Sequence, residues 1–594
     1  MKPVKPDPAS RRFITTGEVI GALDRPGIHA WRGIPYAAAP VGALRWCAPR
    51  AASPWERTRP CLEHGPMAPQ YGGLLAPVPA SAHGHVVGQE DCLNLNVFAP
   101  AWEPDQVPGQ GQQRAVMFWI HGGGLAVGTS ASYDVVRNYV QHEDVLVVTI
   151  NYRLGILGWF THPALAADGA SAEERSGNFG LLDCIAALQW VRSHIGSFGG
   201  DPDKVTIFGE SAGAQMVLLL LASPLATGLF HRAIAQSPVT MSASTEEAVK
   251  RNDHLLDCQR ASSEELTLRL WCKAFPQLTE QSALTQIASL SPQQLASFLR
   301  TRTSEQLLAV VEPGTAGIYL TPRPTRDGVV LPQAPLTEVF ASGKWNRVPV
   351  IIGSNRDEYR TFIADKPEHV RFIGPLPVLR DRTAYQLESG YLSRAWRAAH
   401  VDSIADAMLQ GGHEDVWSYR FDWDEELRLP LVRPDLLLGA CHAVEMAFAF
   451  GDLDGEFDPF RVNTIFNRSG RHYLALAMRQ AWTSFARDAH PRLPQPMRWP
   501  RRTLSGQEES LILDSPRDGG IRMARARQNM MQILQAITTD SHIPTPQMRC
   551  QIYARLYVWS PLFAGYADQA DYQRWCAELD CHIAASQFRP RLQI

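Results

Sequence analysis

Residues 204–221, KVTIFGESAGAQMVLLLL, constrain this chain more than any other stretch. Before the G-E-S-A-G at 209–213 stands VTIF, a run of β-branched and aromatic residues suited to a buried strand; after it comes an apolar run of helix formers. A serine at the centre of such a strand–turn–helix must sit on a sharp, strained bend. Gly209 and Gly213 leave room for the two elements to close on each other, and Ser211 stands exposed between them. The helix that follows points its N-terminal N–H groups toward Ser211, where they favour developing negative charge. A five-residue match alone could be a glycine-rich turn of no consequence; the flanking strand and helix identify Ser211 as a candidate nucleophile.

A nucleophile for acyl transfer needs N–H donors that hold a tetrahedral oxyanion. VMFWIHGGGLAVG reads as a strand followed by His121, Gly122, Gly123 and Gly124, and successive glycines can turn their N–H groups inward without side-chain obstruction. Gly123 and Gly124, with the N–H of Ala212, are the candidate donors. Triple glycine is also the composition of a plain flexible turn, but this one directly follows a buried strand upstream of Ser211. His121 is read as structural, because the order expected for this arrangement is nucleophile, acid, then histidine.

The apolar runs 115–120, 145–150, 205–208 and 348–352 do not alternate with polar residues, as expected of strands buried on both faces of a largely parallel sheet. Helical stretches at 181–195 and 212–221 lie between them, which predicts α/β architecture. Loops are predicted at 104–113, 167–178 and 492–502, and the tail after Arg527 reads as helical. A net charge of −3 offers no footprint for nucleic acid or an anionic membrane. The longest apolar run, 216–222, is too short to span a bilayer. The opening MKPVKPDPASRRF lacks the apolar core of a signal peptide, so the expected location is cytoplasmic. The ten cysteines form no C-x-x-C pair; the expectation is small buried hydrophobes, with no zinc or redox site, no metal and no cofactor.

Several ordered motifs then resemble one family. WRGIPYAAAPVGALRW at 31–46, EDCLNLNVF at 90–98, NYRLGILGWF at 151–160 and the block 177–214 are similar to the type-B carboxylesterases, the carboxylesterase and cholinesterase group of α/β-hydrolases; the similarity runs over roughly 12–520. It implies an α/β-hydrolase fold, a large central mostly parallel sheet flanked by helices. It also implies hydrolysis of carboxylic esters through an acyl-enzyme on a Ser-His-Glu triad. The family's acid maps onto Glu358 in GSNRDEYRTF, with Asp357 as the rival, and its histidine onto His442 in GACHAVEMAFAFG. Glu210, Ser237 and Glu445 match polar positions that support the triad; equally, they could be buried polar residues satisfying backbone groups. The implied partner is a small-molecule ester. Amide or carbamate hydrolysis by the same triad, and a non-catalytic binding protein on the same scaffold, are the alternatives.

The chain departs from the family in places. Tyr359 follows the acid where glycine is usual, and Cys441 precedes the histidine. Cys92 lacks its usual disulfide partner, with Ala68 at that position and Cys61 displaced, and Phe298 replaces a cysteine of a second bridge; both fit a reducing compartment. SAHGHVVGQEDC holds no aromatic residue where the cholinesterases place one, so no choline specificity is expected. Residues 1–527 are expected to form the catalytic domain, with inserted pocket-forming segments at about 66–90 and 240–330; residues 528–594 are expected to be a helical extension packed on it.

Overall fold

The computed structural model describes the chain apart from residues 1–3, 74, 167–169, 253–260, 312–317, 375, 430–431, 454, 507–508, 559–568, 582 and 585–594. Its frame is one sheet of 11 strands. In chain order these are β1 (Ala22–Arg25), β2 (Ile28–Pro35), β3 (Asn94–Pro100), β4 (Arg114–Ile120), β5 (Val145–Ile150), β6 (Gly200–Glu210), β7 (Arg232–Gln236), β8 (Val350–Asn355), β9 (Val416–Phe421), β10 (Ser510–Leu513) and β11 (Arg522–Ala524). In space the order is β11-β10-β9-β8-β7-β6-β4-β5-β3-β2-β1. The block from β10 to β5 is parallel; β11 at one edge and β3, β2 and β1 at the other run antiparallel. This is the mostly parallel sheet flanked by helices that the sequence predicts.

Side chains of the parallel strands alternate between two apolar layers, as the two-residue period of a strand requires. Val116, Phe118 and Ile120 of β4 face one core together with Val148, Ile207 and Ile352. That face is covered by α1 (Phe179–His194) and α2 (Ala212–Ala222). Met117 and Trp119 point the other way, with Phe208, Ile351 and Trp417. There α4 (Arg468–Asp488) covers the sheet with Leu474, Ala477, Met478, Ala481, Trp482 and Phe485, an i, i+3, i+4 stripe along one helix face. Both faces are thus buried, which is why these strands read as unbroken apolar runs.

The chain leaves β4 for β5 on one side and then crosses to β6 on the other. The C-terminal ends of β4 and β6 therefore lie side by side where the strand order reverses, the place where open α/β sheets bind ligands.

A third core lies beyond β8. Tyr359 and Phe362 pack there against Tyr385, Leu392 and Trp396 of α3 (Arg382–Arg397). Residues after Arg527 form α5 (Met530–Thr539), α6 (Pro546–Val558) and α7 (Gln569–Glu578), which close this core with Ile533, Ile552, Leu556 and Trp575. Arg555 of α6 is salt-bridged to Glu388 of α3 and to Glu368. The bulky Tyr359 is therefore housed by α3 and by the C-terminal helices.

Within 167–178, read as plain loop, Ala172–Arg175 forms a short helical turn under a capping box from Ser171 and Glu174. Among the described residues no helix is long and apolar enough to cross a membrane. Cys61, Cys92, Cys184 and Cys441 are free and buried, as expected of small hydrophobes. Cys550 and Cys581 depart from that expectation, being joined in a disulfide across 31 residues of sequence. No local spacing signals this pairing; helix packing makes it. Cys258 lies outside the described residues.

Candidate active site

Ser211 sits between β6 and α2 with φ 58° and ψ −122°, a backbone conformation that residues with a Cβ rarely adopt. The surroundings hold it there. The Ser211 N–H donates to the Gln236 carbonyl at the end of β7 (2.9 Å), and its own carbonyl accepts from the Gln215 N–H (2.9 Å). A side chain on Gly213 would strike the Ile120 carbonyl, and one on Gly209 would strike the Gly213 backbone. The two glycines of G-E-S-A-G are thus required by contact between the end of β4 and the β6–α2 bend.

The glycines after β4 line the same bend. A Cβ on Gly122 would come within 3.2 Å of Ser211 Cβ. Gly123 and Gly124 have φ of 106° and 65°, open to glycine at little cost. Among the described residues, none accepts from the N–H groups of Gly123, Gly124 or Ala212. Residues from 66–90 and from 240–330 buttress this loop. The Gln70 side-chain amide bonds both backbone groups of Gly128, and the Tyr319 hydroxyl donates to the Ala126 carbonyl (2.6 Å). Ile318 lies directly against Gly124. His121 takes the structural place expected of it: its Nδ1 is 2.9 Å from the Gly122 carbonyl, its ring stacks on Tyr152, and burial pushes it down to about 4, so it stays neutral.

The turns after β8 and β9 bring in the charged groups. Glu358 is fully buried; one carboxylate oxygen lies 2.5 Å from His442 Nδ1, and the other accepts from the Asn355 N–H (2.7 Å). Asp357, the rival acid, is engaged elsewhere, by Arg356 (2.7 Å), Arg360 (3.1 Å) and the Ala440 N–H (3.2 Å). The His442 ring packs against Trp396 and Phe362, at centroid distances of 4.9 and 5.4 Å. Its Nε2 lies 3.1 Å from Glu210 Oε1, beside Ser211; no hydrogen bond joins it to the Ser211 hydroxyl in this state. Hydrogen bonds between catalytic groups are often loose before substrate tightens them.

Of the three supporting residues, two join the cluster. Glu445 accepts from Asn355 Nδ2 (2.5 Å) and Gln236 Nε2 (3.5 Å), and Glu210 faces His442. The Ser237 hydroxyl is buried with no hydrogen-bond partner among the described residues, and its backbone turns through φ 47° at the end of β7. Asn355 stands inside the GSNRDE stretch that carries the acid, with no role assigned to it from the sequence. Its N–H holds Glu358, and its side-chain amide holds both the Cys441 carbonyl and Glu445, tying the acid, the histidine segment and the third carboxylate together. Its signal in the sequence is its place three residues before the acid in GSNRDE, as a polar residue ending an apolar strand.

Three buried carboxylates around one imidazole cannot all be ionised cheaply. Burial raises Glu210 to about 8, helped by Glu445 and Glu358; burial and Glu358 raise Glu445 to about 7. Burial opposes charge on His442, but Glu210, Glu358 and Glu445 outweigh it and lift the imidazole to about 9. The lifts on Glu210 and His442 draw on the same charge, so proton uptake by Glu210 lowers the His442 pKa and leaves more of the imidazole neutral. Glu210→Gln removes a negative charge from beside Nε2 and lowers the imidazole pKa. The acid limb of the kcat/KM profile, where His442 takes up its inactivating proton, is expected to move down by about one pH unit. An unmoved limb would show that Glu210 carries its proton throughout the working range.

Comparison with known proteins fits this arrangement. A profile described as the carboxylesterase family matches residues 9–394. The chain belongs to the carboxylesterase family. Para-nitrobenzyl esterase of Bacillus subtilis is 32% identical over 527 residues, which cover 85% of this chain and 95% of that protein. Fumonisin B1 esterase of Sphingopyxis macrogoltabida is 31% identical, over 84% of this chain and 86% of its own length. Among solved structures, a carboxylesterase of Geobacillus stearothermophilus superposes with a TM-score of 0.61 at 29% identity, covering 85% of this chain and 96% of its own. Like its relatives, this carboxylesterase is a serine hydrolase with the α/β-hydrolase fold.

Proposed function

We propose that this carboxylesterase cleaves small-molecule carboxylic esters through an acyl-enzyme on Ser211, with His442 as base and Glu358 as the acid that orients it. The observation that carries the reading is the buried Glu358–His442 pair, whose free Nε2 faces the residue next to Ser211. With Nδ1–H fixed on Glu358, Nε2 is left as the acceptor. It removes the Ser211 proton as the hydroxyl oxygen attacks the ester carbonyl. The oxyanion is held by the N–H groups of Gly123, Gly124 and Ala212. His442 then returns the proton to the leaving alkoxide. Water, deprotonated by the same nitrogen, attacks the acyl-enzyme and frees the acid.

A fluorophosphonate probe tests this reading and separates it from a non-catalytic scaffold. It is expected to label Ser211 stoichiometrically and to leave the Ser211→Ala chain unlabelled, as read by peptide mass mapping. A folded protein that takes up no probe would overturn the proposal. Rates on an ester, an amide and a carbamate sharing the same acyl and leaving groups should rank the ester first; a faster amide or carbamate would move the reading to that chemistry with the same residues.

A further inference from the structure

The C-terminal helices bring together three sulfurs that ester hydrolysis does not use. Cys550 stands in the first turns of α6, buried; Cys576 stands in the last turn of α7, partly exposed; and buried Cys581 follows α7. All three sulfurs lie within 4.8 Å of one another. The helix cap sets two of them side by side. The Cys581 N–H donates to the Cys576 carbonyl (3.0 Å), the Asp580 N–H reaches Ala577, and Asp580 turns through φ 48°. This is a Schellman ending, whose geometry brings the side chains at these two positions into contact, usually as an apolar pair; here both are cysteines. The third sulfur arrives because α6 and α7 pack through stacked rings, Tyr553 on Trp575 (3.8 Å) and Tyr557 on Tyr572 (5.3 Å). In this structure Cys550 and Cys581 are bonded, and their Cα atoms are 6.6 Å apart, inside the range a disulfide spans.

We propose that these three residues form a thiol–disulfide exchange site, in which Cys576 attacks Cys581 and releases Cys550. The Cys576 thiol gives its proton to solvent, and the thiolate attacks Cys581 Sγ along the Cys550–Cys581 bond. The Cys576–Cys581 bond forms as the Cys550–Cys581 bond breaks, and the departing Cys550 thiolate takes up a proton. One disulfide and one thiol stand on each side, so no oxidant or reductant is needed. The exchange turns a cross-link between α6 and α7 into one confined to the cap of α7.

The test uses the full, unreduced wild-type chain, incubated at several pH values and quenched in acid. Free thiols are then labelled with N-ethylmaleimide and the disulfides mapped by mass spectrometry of acid digests. Both linkages, Cys550–Cys581 and Cys576–Cys581, are expected, with the label divided between Cys576 and Cys550. After a pH jump, label at Cys550 should grow in about tenfold faster per pH unit below the pKa of the attacking thiol. Cys576→Ser should leave Cys550 unlabelled, and Cys550→Ser should hold only the Cys576–Cys581 link. The proposal is overturned if the wild type shows Cys550–Cys581 alone, with label confined to Cys576 at every pH. Three free thiols would overturn it too, and zinc or copper bound with them in stoichiometric amount would mark a metal site instead.

Discussion

Replacing Ser211 by glycine is expected to remove ester turnover by about 10⁵- to 10⁶-fold in kcat and yet leave a slightly more stable protein. The kinetic loss follows from removal of the attacking oxygen; what remains is the modest acceleration that the oxyanion donors and binding supply on their own. The gain in stability follows from the backbone. At φ 58° and ψ −122° a Cβ is strained by about 1–3 kcal/mol, a conformation that glycine adopts freely. Part of that relief, about 0.5–1 kcal/mol, is offset by the greater freedom of glycine in the unfolded chain. A net gain of about 1 kcal/mol over a chain of 594 residues moves the thermal midpoint by only about 1 °C, within reach of scanning calorimetry. Ser211→Ala is the control: it should lose the same activity and gain no stability, because its Cβ keeps the strain. A glycine variant less stable than wild type would mean that contacts of the hydroxymethyl group, not the fixed backbone around it, hold the bend.

What the sequence makes legible here follows from burial. Strand β5 reads to the residue, because 145–150 is apolar throughout and lies inside the sheet, paired to β4 on one side and to β3 on the other. Strand β8 reads two residues early. Val348 is apolar, but Pro349 cannot donate to a ladder, so pairing begins at Val350 and runs on through polar Ser354 and Asn355. Those two polar residues are held in a buried strand by groups no local pattern carries: the Asn355 amide N–H groups go to Glu445 and the Cys441 carbonyl, about ninety residues further along, and the Ser354 hydroxyl accepts from Arg397. The candidate triad is legible from motifs, because each motif is a local turn with a required shape. The contacts among its members are not. That Glu210 reaches Nε2, that the Ser237 hydroxyl finds no hydrogen-bond partner among the described residues, and that Tyr359 is housed by helices beyond residue 527 all depend on which turns the sheet brings together.

Glu358→Gln is expected to lower kcat by about 10⁴-fold with the fold intact, and the reason is a single proton. Glu358 accepts two hydrogen bonds, from His442 Nδ1 on one oxygen and from the Asn355 N–H on the other. A glutamine offers one oxygen and one NH₂ to these two sites. With its NH₂ toward Asn355, two donors face each other in a buried pocket. With its oxygen toward Asn355, the NH₂ faces Nδ1, which must become an acceptor. The proton then sits on Nε2, the nitrogen that has to take the Ser211 proton, and the imidazole is held in the wrong tautomer. The same change removes a negative charge, so the pKa of His442 falls and the acid limb of the rate profile moves down with it. Asp357→Asn supplies the contrast. Its carboxylate faces Arg356, Arg360 and a backbone N–H rather than the imidazole. Losing it weakens a largely buried ion-pair cluster, at a cost of about 3 kcal/mol. The protein that remains folded should turn over esters within a few-fold of wild type. Steady-state rates normalised to the fraction labelled by a fluorophosphonate separate the two effects. If the 10⁴-fold loss fell on Asp357→Asn and Glu358→Gln stayed active, the two carboxylates would have to exchange roles.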